Sequence, residues 1–393
     1  MKPAAPNTLI DRANIGDIDD LLMIYRLIYG RNYPHAFGTD EAAARKLVIS
    51  RDSRWYVARN MATGRPVGSV VFDVDPVNKI GKAEGLAIHP EFRGRGFGND
   101  LIRTGTDELL SEGGPVNSVF ATTRTKSLGA QLICLRAGYL PHGIFPNAHK
   151  IDSYETLTLL VKHRKDSLDR RSPVAELPQE CMDILRVIDE QYGIKTGCIP
   201  RTIEPLIGKE EPLRFEFIHA PNFVQSRFDE KFTDAYDRFF PFHKPNCLIC
   251  STNGEVEIYA YFSPQDRHCA IVGLNVPVYS LAGRLSGLMD KMKDFGIAYV
   301  ELLLGCQYSR SIGAAIQAGF IPSAIYPAMR ENEHGLLEDF IILSRTAEPL
   351  NFQGMAIDRS FAPFVNQYVN LWKKKALESL QVYDSEDSLK EAE

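Results

Sequence analysis

The sequence contains no hydrophobic run long enough to cross a bilayer, no excess of positive charge and no cysteine pattern of a secreted protein. Its N-terminus lacks the apolar core of a signal peptide. The 393 residues carry a net charge of -5, which leaves no basic surface of the kind that binds nucleic acid. Seven scattered cysteines, an odd number, are typical of reduced thiols. These absences predict a cytoplasmic protein that binds neither nucleic acid nor membrane.

One cysteine pair, Cys247-x-x-Cys250, has a spacing that occurs in metal sites. A zinc site needs a matching second pair of ligands, and the sequence offers none at a suitable spacing. The two cysteines lie in a strand-like run, so their side chains would point to opposite faces. The sequence therefore predicts no metal site there.

A glycine-rich basic turn is the most informative motif of the chain. Leu86–Ile88 is typical of an apolar strand end, Pro90 breaks it, and the turn at 93–98 leads into a helix. Glycines let backbone N–H groups converge on an anion, and the helix adds the positive end of its dipole. The turn lacks the Lys-Ser/Thr ending of a P-loop, and no ribose-binding acid of a dinucleotide fold is evident. The motif therefore predicts a phosphate-binding site of another type.

This motif resembles the acyl-CoA loop of the GNAT acetyltransferase superfamily, whose pattern is Arg or Gln, two residues, Gly, one residue, then Gly or Ala. The resemblance implies that acetyl-CoA is the co-substrate. The backbone of the preceding strand would hold its pantetheine arm and polarise the thioester carbonyl, through Leu86, Ala87 and Ile88. The turn would hold its diphosphate, through Arg93, Gly94, Arg95, Gly96, Phe97 and Gly98. On a later helix, Ser127 and Gln131 would also contact the coenzyme.

The order of strand and helix signals over residues 8–163 is also that of the GNAT fold. Apolar residues at helical spacing over 17–29, alternating runs over 54–74 and a helix after the turn are its clearest parts. We therefore expect an α/β (α+β) fold. Residues 1–165 would form a GNAT acetyltransferase domain, a mixed, mostly antiparallel twisted sheet flanked by helices.

The second half of the chain repeats part of the first, and 393 residues suit two domains. Ala137–Pro146 aligns with Ala318–Pro327 at an offset of 181 residues, with five of ten positions identical. The position equivalent to the glycine turn, Val276–Arg284, has lost its double glycine. We expect a degenerate, non-catalytic GNAT-like domain at 175–350. Around it the sequence predicts a linker at 164–172, a C-terminal helix at 360–382 and a frayed acidic tail at 383–393.

Acyl transfer to an amine needs a base, and Glu84 is the main candidate. It lies two residues before Leu86, where many GNAT members carry a glutamate. In a regular strand it would share a face with Leu86 and Ile88, and an apolar face would raise its pKa. A surface carboxylate paired with Lys or Arg is the alternative. His142 and His149, in an expected loop before the final strand, are rival bases.

The general acid is the point at which this chain departs from the family. The usual helix pattern is Asn, seven residues later Tyr, then Gly, and here Ser127, Cys134 and Gly138 hold those places. Three alternatives stay open. Tyr139 or Tyr154 takes over, solvent protonates the leaving thiolate, or Cys134 itself lies near the sulfur.

The sequence thus predicts transfer of an acetyl group from acetyl-CoA to the amine of a small molecule, by direct attack in a ternary complex. Aromatic side chains of the first helix and following loop either line the acceptor side or belong to the core; they are Tyr25, Tyr29, Tyr33, His35 and Phe37. Alternatives are a longer acyl donor, a protein lysine as acceptor, and a non-catalytic acyl-CoA sensor. The oligomeric state is left open.

Overall fold

The computed structural model describes residues 8–379, except 31–32, 204–212, 235–237 and 239. The strands in this part are β1 (Thr8–Arg12), β2 (Ser53–Asn60), β3 (Pro66–Asp75), β4 (Ile80–Ile88), β5 (Ser118–Arg124), β6 (Leu140–Lys150), β7 (Tyr154–His163), β8 (Glu176–Pro178), β9 (Ile199–Arg201), β10 (Phe215–His219), β11 (Cys247–Ser251), β12 (Glu257–Ser263), β13 (His268–Leu274), β14 (Tyr299–Gly305), β15 (Ile321–Glu331) and β16 (Leu337–Thr346). The helices are α1 (Ile18–Tyr29), α2 (Glu41–Val48), α3 (Phe97–Leu109), α4 (Gly129–Arg136), α5 (Met182–Tyr192), α6 (Pro221–Lys231), α7 (Leu285–Asp294), α8 (Ser309–Gln317) and α9 (Ala362–Ser379). None of these helices combines the length and apolarity that a membrane span needs.

Within the described part of the chain, fourteen strands form one continuous sheet, in the order β1-β2-β3-β4-β5-β7-β6-β15-β16-β14-β13-β12-β11-β10. We call residues 8–163 the N-terminal half and 213–346 the C-terminal half. From each outer edge inward, the two halves have the same strand order. In both halves the fourth and fifth strands along the chain pair in parallel, and the other neighbours are antiparallel. The same topology is therefore built twice.

The halves meet where β6 pairs with β15, at Gly143 and Ala324. A Cβ atom added to Gly143 would lie 2.3 Å from the Ala324 Cβ and 2.3 Å from the Ser323 carbonyl oxygen. Because real Cβ atoms do not approach other atoms so closely, the junction requires glycine at this position.

Helices cover both faces of the sheet, which explains its nearly continuous hydrophobic strands. In β2, Tyr56 and Ala58 face the core formed with α3, whereas Trp55 and Val57 face the core formed with α1 and α2. The first core continues under α4, α5, α7, α8 and α9. On the opposite face, α6 covers the outer strands of the C-terminal half.

The predicted fold class is confirmed, but one strand of the N-terminal half was missed. The sequence predicted a loop before the final strand of the N-terminal half, but residues 140–150 form the eleven-residue strand β6. Pro141, Gly143 and Pro146 are residue types that a regular strand disfavours. The structure accommodates them through two register shifts, between Pro141 and Gly143 and between Phe145 and His149. A bulged strand can contain residues that an ideal ladder excludes.

The expected C-terminal helix corresponds to α9, which packs against β6 and β15 and so contacts both halves. The predicted linker is ordered. Ser167 is fully buried, and Arg171 forms an ion pair with Asp339 of the C-terminal half. The predicted acidic tail lies outside the described residues.

Candidate active site

β4 and β5 diverge and open a cleft between them. They pair in parallel only over Ile80–Ala83 and Ser118–Ala121. Beyond Ala83, no strand in the described part of the chain pairs with β4 on this side, while its other edge stays paired with β3. Backbone N–H groups on the open edge of residues 84–88 are therefore positioned to bind a ligand.

A β-bulge at Gly85 changes which way the side chains of β4 point. Val71 pairs with Glu84 and Ser69 with Ala87, so two residues of β4 face the single residue between them on β3. Gly85 has a φ of 66°, in the left-handed region that favours glycine. The expectation that Glu84 shares a face with Leu86 is therefore wrong. Glu84 lies on the α1–α2 face, whereas Leu86 and Ile88 pack against the core on the α3 side.

The glycine turn leads from β4 into the first turn of α3. Gly94 and Gly96 have φ values of 76° and 93°, and Gly96 is the residue immediately before α3. The N–H groups of the first helical turn lack partners within the helix. Together with the helix dipole, they form an anion site at the mouth of the cleft.

The cleft has a volume of about 590 Å³ and contains most of the predicted coenzyme-binding residues. The predicted residues that line it are Leu86, Ile88, Arg93, Gly94, Gly96, Phe97, Gly98 and Ser127. The sequence analysis missed Asn99, which directly follows the motif, and Arg136, the last residue of α4, and both also line the cleft. The described lining residues include two arginines and no carboxylate. This charge suits the phosphates of an acyl-CoA.

Three predicted coenzyme-binding residues lie elsewhere. Ala87 is buried in the core formed with α1 and is not among the residues that line the cleft. Arg95 donates a hydrogen bond to the Glu91 carbonyl oxygen (3.0 Å), and its guanidinium stacks on the Phe92 ring. The side chain of Gln131 is fully buried and points away from the cleft.

Gln131 instead connects α4 to the segment that precedes α9. Its amide nitrogen donates to the Ala356 carbonyl oxygen (2.9 Å), and its amide oxygen accepts from the Asp358 backbone N–H (2.8 Å). The prediction that this side chain contacts coenzyme is therefore wrong. Its partners lie more than 220 residues away in sequence, so no local pattern could have identified them.

The two tyrosines considered as general acid are both outside the cleft. Tyr139 is buried, and its hydroxyl shares a hydrogen bond with that of Thr106 on α3 (2.7 Å). Tyr154 begins β7, and its hydroxyl accepts a hydrogen bond from Arg267 of the C-terminal half (3.3 Å). Burial raises the pKa of Cys134 to about 12, so that residue remains a neutral thiol. The phenol that does line the cleft is Tyr29, which donates to the Leu86 carbonyl oxygen (2.8 Å).

The rival histidine bases also lie away from the cleft, on β6 rather than in a loop. His142 is completely buried, and its Nε2 lies 2.9 Å from the Tyr192 hydroxyl. Burial lowers the pKa of His142 to about 3. His149 pairs with Asp266 of the C-terminal half at 2.8 Å. Neither histidine lines the cleft.

Glu84 lies in a cluster of charged groups. Its carboxylate is 2.5 Å from the Lys82 ammonium and 3.6 Å from His35 Nδ1, and 12% of its side chain is exposed. Burial alone would raise the pKa of Glu84, but the positive charge of Lys82 and then that of His35 outweigh it and lower the pKa. The sequence analysis predicted a raised pKa. It was wrong because it placed Glu84 on an apolar face.

Asp73 is the functional candidate that the sequence analysis missed. It lies on β3 directly opposite Lys82, and the Ser53 hydroxyl donates to it (2.7 Å). Burial and the negative charge of Glu84 raise the pKa of Asp73 to about 6. The Glu84 carboxyl group thus stays ionised, whereas the Asp73 carboxyl group can hold a proton near neutral pH.

The Glu84 cluster also borders the C-terminal half. Burial and, as the second largest cause, the positive charge of Lys82 lower the pKa of His243 to about 4. Lys82 also acts to lower the pKa of Tyr261, although burial has a larger effect and raises it.

On the α1 side, Tyr33 stacks on Tyr29 with ring centroids 4.6 Å apart. The aromatic group therefore includes both packed rings and a ring that borders the cleft.

The described residues of the C-terminal half contain no equivalent of the anion site. The segment before α7 forms a short 3-10 helix at Val278–Leu281, and no described residue from 268 to 294 has a positive φ. When the parallel strand pairs are superimposed by register, Ile80 corresponds to His268 and Glu84 to Val272.

Over the described parts of the chain, no group of three or more His, Cys, Asp or Glu residues could hold a metal ion.

Comparisons with known proteins place this site in a family. Residues 18–139 match the model of the Acetyltransferase (GNAT) family. No curated protein compared with the chain matches its sequence significantly. Similar solved structures include spermidine N-acetyltransferase from Vibrio cholerae in complex with CoA and spermine (15% identity, 40% of this chain, 96% of that chain, TM-score 0.35). They also include a GNAT-family acetyltransferase from Streptococcus pneumoniae (17%, 40%, 98%, 0.34) and Arabidopsis thaliana NAA60 with a bisubstrate analogue (14%, 40%, 97%, 0.35).

The family match includes α1, the bulged strand, the glycine turn and α3. The match ends at residue 139, just after α4, so all residues that line the cleft lie within the matched region. Residues 18–139 therefore form an acetyltransferase domain of the GNAT family.

Proposed function

We propose that the N-terminal half transfers an acetyl group from acetyl-CoA to the amine of a small molecule, by direct attack in a ternary complex. The observation that supports this most directly is the pairing of the positive-φ glycine turn at α3 with an unpaired edge of β4. One feature accommodates a diphosphate, and the other offers N–H groups to a thioester and its pantetheine arm.

The carboxyl pair supplies the base. Glu84 is ionised before the acceptor arrives, because Lys82 and His35 keep its pKa low. It can attract an ammonium group and accept its proton through a water molecule. Asp73, with a pKa of about 6, then provides a neighbouring site for that proton. In this role the pair both binds the cationic acceptor and prepares its nitrogen for attack.

Tyr29 is the residue that we propose as donor to the leaving thiolate. Tyr29→Phe should lower kcat about tenfold or more, because a positioned proton donor contributes at least that much, while the KM for acetyl-CoA stays nearly constant. Steady-state kinetics would measure both constants. Tyr154→Phe is the matched control, since Tyr154 contacts Arg267 outside the cleft. Equal kcat values for wild type and Tyr29→Phe would show that solvent supplies the proton.

The central test measures CoA release with a panel of amines and with acyl-CoAs of graded chain length, corrected for thioesterase activity. An acetyltransferase shows saturable, amine-dependent release that is fastest with the acetyl donor. Faster release with longer chains would indicate an N-acyltransferase of another donor class. Saturable CoA binding without amine-dependent release would indicate an acyl-CoA sensor. Release that only peptides or proteins stimulate would indicate a protein-lysine acceptor.

We further propose that residues 1–165 and 175–350 are duplicated domains and that the second has lost catalysis. The shared strand order and the sequence repeat support the duplication. The missing glycine turn and the valine in place of Glu84 support the loss of activity. On this proposal, the remaining contribution of the C-terminal half is to border the Lys82–Glu84 cluster through His243 and Tyr261.

A further inference from the structure

A second cavity, distinct from the cleft, lies where the N-terminal half, the linker and the C-terminal half meet. Its volume is about 480 Å³, and its polar lining residues are Lys79, Asn117, Arg164, Arg170 and Glu331. Lys79 immediately precedes β4, whereas the cleft lies at the other end of that strand. Eight residues of extended chain separate these ends by about 26 Å. The cavity is therefore separate from the proposed acetyltransferase site.

Backbone contacts of Asn117 hold this cavity in a fixed arrangement. The N–H of Asn117 donates to the Lys79 carbonyl oxygen (2.7 Å), and its carbonyl oxygen accepts from the Arg164 N–H (2.8 Å). The Ser167 hydroxyl donates to the same carbonyl oxygen (2.9 Å). Lys79 itself has a φ of 53°, a conformation that a lysine adopts only when its surroundings impose it.

The charges around the cavity leave a positive excess. Lys79 contacts Glu331 at 3.0 Å, whereas the nearest approach of Arg170 to Glu331 is 3.7 Å, beyond a hydrogen bond. Asp166 lies next to the lining residues and pairs with Arg164 (2.7 Å) and more distantly with Arg170 (3.9 Å). Three cations therefore stand against two carboxylates, a surplus of one positive charge.

One residue that lines the cavity also carries a polar group without a partner. Asn117 is only 1% exposed, and its amide oxygen accepts a hydrogen bond from Arg170 (3.1 Å). Its amide nitrogen has no hydrogen-bond acceptor among the residues that the structure describes. A buried donor without an acceptor costs free energy, which a ligand oxygen at this place would recover. The charge surplus and the unpartnered donor both favour an anion with several oxygen atoms.

We propose that this cavity binds the phosphate group of a small molecule. The phosphate oxygens accept hydrogen bonds from the Asn117 amide and from Arg170, and Lys79 balances their charge. Since Lys79 belongs to the N-terminal half and Arg170 to the linker, occupancy connects these two parts. This proposal does not depend on acetyl transfer in the cleft.

The test is a calorimetric titration of the full chain with inorganic phosphate and with pyrophosphate, at constant ionic strength. All titrations are run in the Gly96→Asp background, so that anion binding in the cleft does not contribute. We expect saturable binding of at least one of the two anions and a thermal midpoint that rises with its concentration. Absence of saturable binding by either anion would overturn the proposal.

Two variants locate the binding. Arg170→Ala removes a charged donor, and Asn117→Asp replaces the unpartnered N–H donor with a carboxylate oxygen while it preserves side-chain size. Each should weaken binding about tenfold or more, since each removes a hydrogen bond that involves a charged group. Arg186→Ala, at an exposed arginine of α5, is the matched control for lost charge. Circular dichroism confirms that each variant is folded. Binding that all three variants retain would place the anion elsewhere and contradict the proposal.

Discussion

Gly96→Asp is expected to abolish coenzyme A binding, and with it all amine-dependent release of CoA. Gly96 has a φ of 93°, a conformation that costs a side-chain-bearing residue about 1–2 kcal/mol. The new carboxylate would also stand at the N-terminus of α3, where we propose that the diphosphate binds. Like charges and strain together should lower affinity by more than about a hundredfold. Calorimetry of the full chain with CoA measures this loss.

The matched control for strain is Gly64→Asp. Gly64 has a φ of 71° in the β2–β3 hairpin, and like Gly96 it has open space where a Cβ would lie. Its substitution should therefore impose similar backbone strain without changing the cleft. We expect Gly64→Asp to bind CoA as the wild type does. If Gly96→Asp retained wild-type affinity while folded, the glycine turn would not be the diphosphate site, and the proposed function would fail.

The second large effect is expected at the base. Glu84→Gln should lower turnover about a hundredfold or more and leave CoA affinity unchanged, because the amide keeps the side chain's size but accepts no proton. Glu112→Gln, an exposed carboxylate after α3, is the control and should have wild-type kinetics. An unchanged rate in Glu84→Gln would remove this residue from the mechanism.

The pH profile provides a readout that a structural role would not change. Transfer requires the ionised carboxylate of Glu84, so activity is lost as the pH drops through the lowered pKa of Glu84. In Lys82→Met the largest opposing charge is gone, and burial then raises the pKa of Glu84. The acidic limb of the kcat/KM profile should therefore move to higher pH. A limb that stays in place would show that another group controls it.

The local sequence was sufficient to predict the glycine turn, but not the surroundings of the proposed base. Glycine by itself permits the positive φ values of this turn, so a short motif was sufficient to predict the turn. The direction of Glu84 depends on the bulge at Gly85, and its pKa depends on Lys82 and His35. Neither the bulge nor these pairings follows from an apolar pattern.

Long-range contacts explain the remaining errors. Gln131 is held by the segment before α9, and Tyr154 by Arg267 of the other half. Asp73 could have been found from the β3–β4 hairpin, because the pairing of that hairpin places it opposite Lys82. The strand β6 escaped prediction because its prolines and glycine are tolerated only at its register shifts.

The junction of β6 with β15 makes a single polypeptide supply both sides of one interface. Two separate subunits would form such a contact only in proportion to their concentration, whereas here folding alone brings the surfaces together at any dilution. In a pair of identical subunits, every mutation also changes both surfaces. A fused chain is free of that symmetry, and so one half can keep a carboxylate at position 84 while the other keeps a valine at 272.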